Sequence, residues 1–495
     1  MSPVLSTSTL RPRPLAARKR TPSLIDVQLD PAQLDAVRLP PGRPLLVLGE
    51  AGHGKTTVAL HRMAHLWRQA PRGTDLRACV VVPTEGLVRW LQPLLSRLGA
   101  DIDVLPYDRW AGDQARKAFR DLPRRESEDG TPAVARMKRH PALRAAFDPV
   151  VRRTPAAHAK RSDLLHLFGD RALLDRVASE AAGTVTQRMI DDTLEHTRVQ
   201  FSRTTEEQYA HVFDKQRLVA VDGLTLDSGT VSGDARTVDV EDYAVLFELD
   251  RLRAHLQGVA PRAPRAYDLL MIDEAQELAP LEAALVGRSL APGGSLVVAG
   301  DAAQQVDPTV TFTSWEATMQ ALGFPEHERV ELTVGYRCPP DVASMARHVL
   351  DPTSPVVRGD AVHEPTFADE LQLAEWTARE LSALVRRDRS ATTAVICRGP
   401  LFARRFVERL RAGVPARLVL DGRFLVRGGV QVTTVDQVKG LEFDTVVVPD
   451  ASRAVYADDA ASARALYVAV TRAKHQLVLA CVGPRTPLLP PPPSA

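Results

Sequence analysis

The chain has 495 residues, 44% hydrophobic and 25% charged, with a formal net charge of +2. That length predicts two to four structural units, and the composition is ordinary for a soluble globular protein. No run reaches the roughly 18 apolar residues of a membrane helix, and the near-neutral balance excludes recognition by bulk charge, so any basic track for nucleic acid must be local. Cys79, Cys338, Cys397 and Cys481 lie far apart with no CxxC pair. That argues against a disulfide framework or zinc site, fits a reducing cytoplasm, and leaves them as small packing residues. Only eight of the 63 basic side chains are lysine, which makes each lysine position informative.

In chain order, MSPVLSTSTLRPRPLAARKR has no acid before Asp26. A transit peptide has such a composition, but Pro12 and Pro14 break an amphipathic helix. The expectation is a disordered basic arm over 1–28. Its Arg11, Arg13, Arg18, Lys19 and Arg20 form either a solvated tail or a tether for nucleic acid. PLLVL (44–48) reads as a buried strand, GEAGHGKTT (49–57) as a phosphate loop, and VALHRMAHLW as the helix that follows. The match is GxxxxGK[ST]. Gly49, Gly52 and Gly54, with the backbone running on to Thr57, would wrap phosphate. The helix N-terminus would add its dipole. Lys55 would reach the β- and γ-phosphates and Thr56 would ligate Mg²⁺. A compact ammonium fits where a guanidinium would not. His53 is unusual here and reads as an exposed side chain at the loop apex with no chemistry.

ACVVV (78–82) is a second strand, followed by VPTEGLVRW. From 111 to 240 the sequence turns Arg/Glu/Ala-rich with helical periodicity, interrupted by the loops DLPRRESEDGTP (121–132) and TLDSGTVSGDARTVD (225–239). This predicts a mainly helical insertion. LLMI (269–272) then ends in Asp273-Glu274. A carboxylate at the tip of a buried strand is placed to hold Mg²⁺, and its neighbour to orient or deprotonate water. SLVVAG (295–300) leads to Asp301 and Gln304, whose amide would hold a γ-phosphate oxygen or the attacking water. Arg337 in LTVGYRCPP and Arg472 in VTRAKHQL would each deliver a guanidinium across a cleft to charge developing on phosphoryl. TTAVIC (392–397), VQVTT (430–434), DTVVV (444–448) and QLVLAC (476–481) complete the strands. None alternates with polar residues, as in strands covered on both faces, so an α/β fold with parallel sheets is predicted. The tail PRTPLLPPPPSA (484–495) reads as extended, disordered and unpacked.

Seven stretches in order resemble the superfamily-one helicases of the UvrD/Rep type: LDPAQLDAV, GEAGHGKTT, IDEAQE, VAGDAAQ, GYR, TTVDQVKGLEFDTVVV and LYVAVTRAKHQL. The resemblance covers about 30–110 and 241–482. It implies two RecA-like P-loop NTPase domains, the first formed by 29–110 and 241–325, the second by 326–483. It implies Mg²⁺ and ATP as cofactors. By position it implies that Gln33 reads adenine and Tyr336 stacks on it. Thr56 and Asp273 would hold the metal, Glu274 would be the base, and Gln304 would sense the γ-phosphate. Arg337 and Arg472 would be arginine fingers, and Gly440 and Glu442 would line the ribose and phosphate side. GKTTVALHRMAHLW, VPTEGLVRWLQPLLSRLG, DVEDYAVLFELDRLRAHL and KGLEFDTVVV look more like the HelD (helicase IV-like) branch, whose bacterial members act on RNA polymerase.

The chain also departs from that pattern. An aromatic pair that stacks on bases normally follows the GDxxQ glutamine, a contact worth roughly 1–3 kcal/mol per base. Here Phe312 and Trp315 stand further on, and Trp315 serves either that role or the core. The large accessory domain after Arg337 and the long N-terminal coiled coil of HelD are expected to be missing. The expected function is an ATP-driven motor acting on DNA, single-stranded or at duplex junctions, or on a DNA-bound complex, with a monomer favoured and no membrane partner. The alternatives are an ATPase that remodels RNA polymerase or another protein, and a slow nucleotide-dependent switch.

Overall fold

A computed structural model describes residues 25, 28–71, 74–127, 130–153, 156–214, 218, 219, 225, 232–335, 338–425 and 428–491. The apolar runs become strands because their side chains find cover on both faces, as in ACVVV, whose last four residues are buried. The strands are β1 (Leu45–Gly49), β2 (Ala78–Val82), β3 (Asp103–Pro106), β4 (Tyr267–Ile272), β5 (Leu290–Gly300), β6 (Glu328–Leu332) and β7 (Val362–His363). They continue with β8 (Thr366–Phe367), β9 (Thr392–Cys397), β10 (Ala416–Leu418), β11 (Gly429–Thr434), β12 (Phe443–Val448), β13 (Ala473–Leu479) and β14 (Cys481–Val482). One sheet has the order β3-β2-β4-β5-β1-β6 and a second has β10-β11-β9-β12-β13-β7, both with parallel pairs. A two-stranded piece pairs β14 with β8.

Register decides where chemistry can sit. Leu48 pairs with Gly300 and Ile272 with Val298, so β1, β4 and β5 end nearly level. In parallel sheets ligands bind outside the carboxyl ends of the strands. The loops at 49–55, 273–277 and 300–304 leave from that edge.

β3 and β6 were not legible as apolar runs. β6 is an edge strand whose ERVEL alternates in burial, with only Leu332 buried. Between β3 and β4 no sheet strand occurs among the described residues. Helices run from Tyr107–Ala118 to Val240–Leu256, wider at both ends than 111–240. Several of their buried charges are paired internally. Lys138 Nζ lies 2.5 Å from Asp239 and 2.7 Å from Asp242, all three buried. Arg253 grips Asp163 at 2.6 and 2.9 Å. Arg139 ties this stretch to the first sheet's surroundings through Glu282 at 2.9 Å and Asp307 at 3.2 Å.

The expectation of an unpacked tail fails for residues 484–491. Thr486 N donates to Ala451 O at 3.0 Å, and its hydroxyl donates to Tyr456 O at 2.7 Å. Leu488 and Leu489 are buried. Proline has no N–H to satisfy, so a Pro-rich strap packs cheaply once two leucines give it apolar surface to bury. Residues 492–495 lie outside the described residues, as does most of the basic arm. No helix among the described residues is long and apolar enough to cross a membrane.

Candidate active site

The loop expected to bind phosphate begins where β6 crowds β1. A Cβ on Gly49 would stand 2.8 Å from the Leu332 carbonyl, so glycine is required there. Gly52 and Gly54 take φ of +80° and +89°, the left-handed region that glycine enters freely. Helix Lys55–Gln69 starts directly behind them. Lys55 is buried, and its Nζ donates to Gly49 O at 2.7 Å and Glu50 O at 3.0 Å, with Asp301 at 3.5 Å. The Thr56 hydroxyl donates to Asp273 Oδ2 at 2.9 Å. Thr57 is buried.

Burial, and then the charge of Glu274 beside it, push the Asp273 carboxyl up to about 7. Thr56 and Lys55 pull the other way. A hard cation beside Asp273 and Thr56 would favour the ionised form, and these oxygen donors suit Mg²⁺, which keeps waters and takes few protein ligands. Glu274 adopts φ +54° and ψ +43°, a strained conformation for a side chain with a Cβ. Its Oε2 accepts from Gln276 Nε2 at 2.6 Å, while Gln276 Oε1 accepts from Asp301 N at 3.0 Å. Gln276 thus locks the carboxylate to the tip of β5. Gln304 Nε2 donates to Asp301 Oδ2 at 2.8 Å.

From the second sheet, Arg472 follows helix Ala460–Thr471 as its C-cap. Its guanidinium donates to Val468 O at 3.0 Å, to Leu441 O at 3.3 Å and to Gln304 Oε1 across the cleft. Gly440, with φ +68°, brings backbone against the other wall. A Cβ there would lie 2.7 Å from Leu87 Cδ2 and 3.1 Å from Glu274 Oε1. Ala51, Gly52, Gly54, Lys55, Thr56, Glu274, Gln304, Gly440, Glu442, Thr471 and Arg472 line one polar cavity. Below it Lys439 Nζ meets Glu277 Oε2 at 2.8 Å, a buried ion pair between the two sheets' elements.

Most residues expected at a nucleotide site therefore converge. Gln33 is buried against the loop, with Nε2 3.3 Å from His53 O and Oε1 accepting from Asp30 N in a capping box. Tyr336 and Arg337 lie outside the described residues. The expectation for His53 is corrected: its side chain is only 12% exposed, and Nδ1 lies 2.7 Å from Leu332 O. The carbonyl arrives from the unrecognised strand β6, so no local signal could place it. Trp315 resolves toward the core. Its ring lies where a Cβ on Gly300 would come within 2.1 Å, and it packs edge-to-face on Phe312. Gln276, Lys439 and Glu277 were missed as individuals, although each sits inside a quoted motif.

The match to known proteins falls on the second wall. Residues 429–480 match the model of the UvrD-like helicase C-terminal domain. That span holds Gly440, Glu442 and Arg472, the helix Ala460–Thr471 and three strands, so the UvrD-like region supplies the far side of the cavity. Among solved structures, the C-terminal domain of a possible DNA helicase from Lactobacillus plantarum WCFS1 is 26% identical, over 31% of this chain and 92% of that one, with a TM-score of 0.26. No curated protein matches.

Proposed function

We propose that this chain is an ATP-hydrolysing motor of the UvrD-like superfamily-one type, acting on DNA or DNA-bound complexes. In this reading, 29–110 with 241–325 form one RecA-like unit and 326–483 a second, and the helical insertion at 111–240 within the first contacts the substrate. The observation that carries it is the convergence of Lys55, Thr56, Glu274, Gln304 and Arg472, from two sheets, on one cavity, with Asp273 bonded to Thr56 behind its wall.

The roles follow from position. Backbone N–H groups of the loop and the Lys55 ammonium would bind phosphate. Thr56 and Asp273 would hold Mg²⁺, which when bound neutralises charge on the β- and γ-phosphate oxygens. Glu274, fixed by Gln276 and set in a water-poor wall, would orient the attacking water and take its proton. Gln304 already joins Asp301 to Arg472. It would report the γ-phosphate to the second unit by exchanging one of these bonds. Arg472 would face charge that grows on the transferred phosphoryl. Gln33 and Tyr336 are assigned the adenine, Glu442 the ribose side, and Arg337 the second guanidinium.

A second reading is favoured by Trp315. Its ring packs on Gly300, away from any base-stacking role. A HelD-like ATPase that remodels RNA polymerase or another protein would not need that platform. Steady-state ATPase with and without single-stranded DNA separates the two. DNA stimulation that is lost in Lys55→Ala and Glu274→Gln supports the DNA motor. Lys55-dependent turnover indifferent to DNA shifts the reading to a protein partner. Turnover unchanged in Lys55→Ala sinks both.

A further inference from the structure

Two residues of the phosphate loop have no task in the nucleotide reading, Glu50 and His53. Neither lines the cavity. A carbonyl can only accept, so His53 Nδ1 must carry the proton that it donates to Leu332 O at 2.7 Å. Gly335 packs against the other side of the ring, where a Cβ would lie 3.2 Å from Cδ2 and 3.3 Å from Nε2. Glu50 stands 3.9 Å from His53 Nε2 and 3.6 Å from Arg347 Nη1.

These partners share one location in the chain. Leu332 ends β6, the last strand of the first sheet. Arg347 lies on helix Pro340–Leu350, which packs against Ala460–Thr471 in the second unit. The loop therefore holds the chain on both sides of its crossing from one unit to the other. The two contacts differ in strength. The His53 ring is shielded from water, whereas the side chains of Arg347 and Glu50 are each about half exposed, and exposed pairs contribute little. His53 also anchors in the opposite direction, since its own carbonyl accepts from Gln33 Nε2.

We propose that His53 is a positioning residue which, with Glu50 and Arg347, clamps the phosphate loop to the crossing between the two units. The phosphate-binding shape of the loop and the setting of the second unit are thereby coupled. This rests on the reading of the site as an ATP site. His53 touches no substrate. It acts by holding the loop backbone between Leu332 and Gln33.

Asparagine tests the geometry, because its Nδ2 stands where the histidine Nδ1 stands. Glutamine puts the donor at the Nε2 position, and alanine removes it. ATP KM and kcat, the Kd of a fluorescent ATP analogue and the thermal midpoint are measured for His53→Asn, His53→Gln, His53→Ala and Arg347→Ala, with Lys55→Ala as the control. Loss of one shielded hydrogen bond corresponds to about a 5- to 10-fold change in equilibrium. His53→Ala and His53→Gln should weaken ATP by that factor and lower kcat, while His53→Asn stays near wild type. Arg347→Ala should weaken ATP by about 2-fold, as expected for an exposed pair. Should His53→Ala fold poorly, the contrast between asparagine and glutamine carries the test alone. Asparagine no better than glutamine, or all His53 variants equal to wild type, overturns the clamp while leaving the ATP reading intact if Lys55→Ala still abolishes binding. Wild-type binding that ignores Lys55→Ala overturns the ATP reading and the clamp with it.

Discussion

In the helical stretch, Lys138 is buried with Asp239, Asp242 and Gln200 within reach, and Arg253 has both oxygens of Asp163 plus the carbonyls of Val150 and His158. At the tip of β4, Asp273 and Glu274 are buried side by side, and Asp273 is pushed up to about 7. Both regions take charge out of water. One gathers its acids around Lys138 and Arg253, and the other sets two acids side by side, with Thr56, Lys55 and Gln276 offsetting them only in part. Paired buried charge maintains shape, whereas crowded buried charge marks chemistry.

The largest test of that contrast is Lys138→Met. Removing one partner of a buried pair strands the other, at about 3–5 kcal/mol. Chemical denaturation should show that loss, while turnover per folded molecule stays near wild type. Glu274→Gln should do the reverse. Turnover should fall by about 10²–10³-fold, the scale of removing one preorganised catalytic group, with the denaturation curve little moved. Lys439→Met sharpens the comparison, since Lys439–Glu277 is a buried pair like those of the helical stretch but spans the cleft. Turnover should fall by about 10-fold, or roughly 1.4 kcal/mol, with the second sheet's elements less firmly seated. A loss of stability with normal turnover would class it with Lys138.

The smallest effect concerns pH. Burial alone would raise Asp307, but Arg139 and then Lys439 outweigh it and hold the carboxyl below its ordinary value. Its folded value lies below its unfolded one, so the stability it contributes is present above about pH 4 and lost as pH falls through the folded value. Asp307→Asn should therefore cost about 1 kcal/mol at pH 7, and the gap from wild type should close below about pH 4. A gap that widens in acid would reverse the assignment.

What could be read in the sequence follows the same division. Strands β1, β2, β4, β9, β12 and the second half of β5 are continuous apolar runs, and the loops after β1, β4 and β5 carry polar residues in a fixed order, so Lys55, Thr56, Asp273, Glu274 and Gln304 could be named from local pattern. β6 alternates like an exposed edge, and β3 is four residues long. With β6 went the partner of His53, because a contact 279 positions away leaves no trace near the loop. The helical stretch was recognisable as helical by periodicity. Its ion pairs were not, since Lys138 and Asp242 lie 104 residues apart. The tail was misjudged because composition counts prolines and overlooks two leucines between them.

Glu274 holds a left-handed backbone that glycine would adopt without strain. Such strain costs of order 1–3 kcal/mol. Glu274→Gly should therefore raise the thermal midpoint, or at least spare it, while abolishing turnover. With Glu274 as the proposed base, the chain trades robustness for reactivity at this position, and a search for hardier variants would drift toward an inert protein.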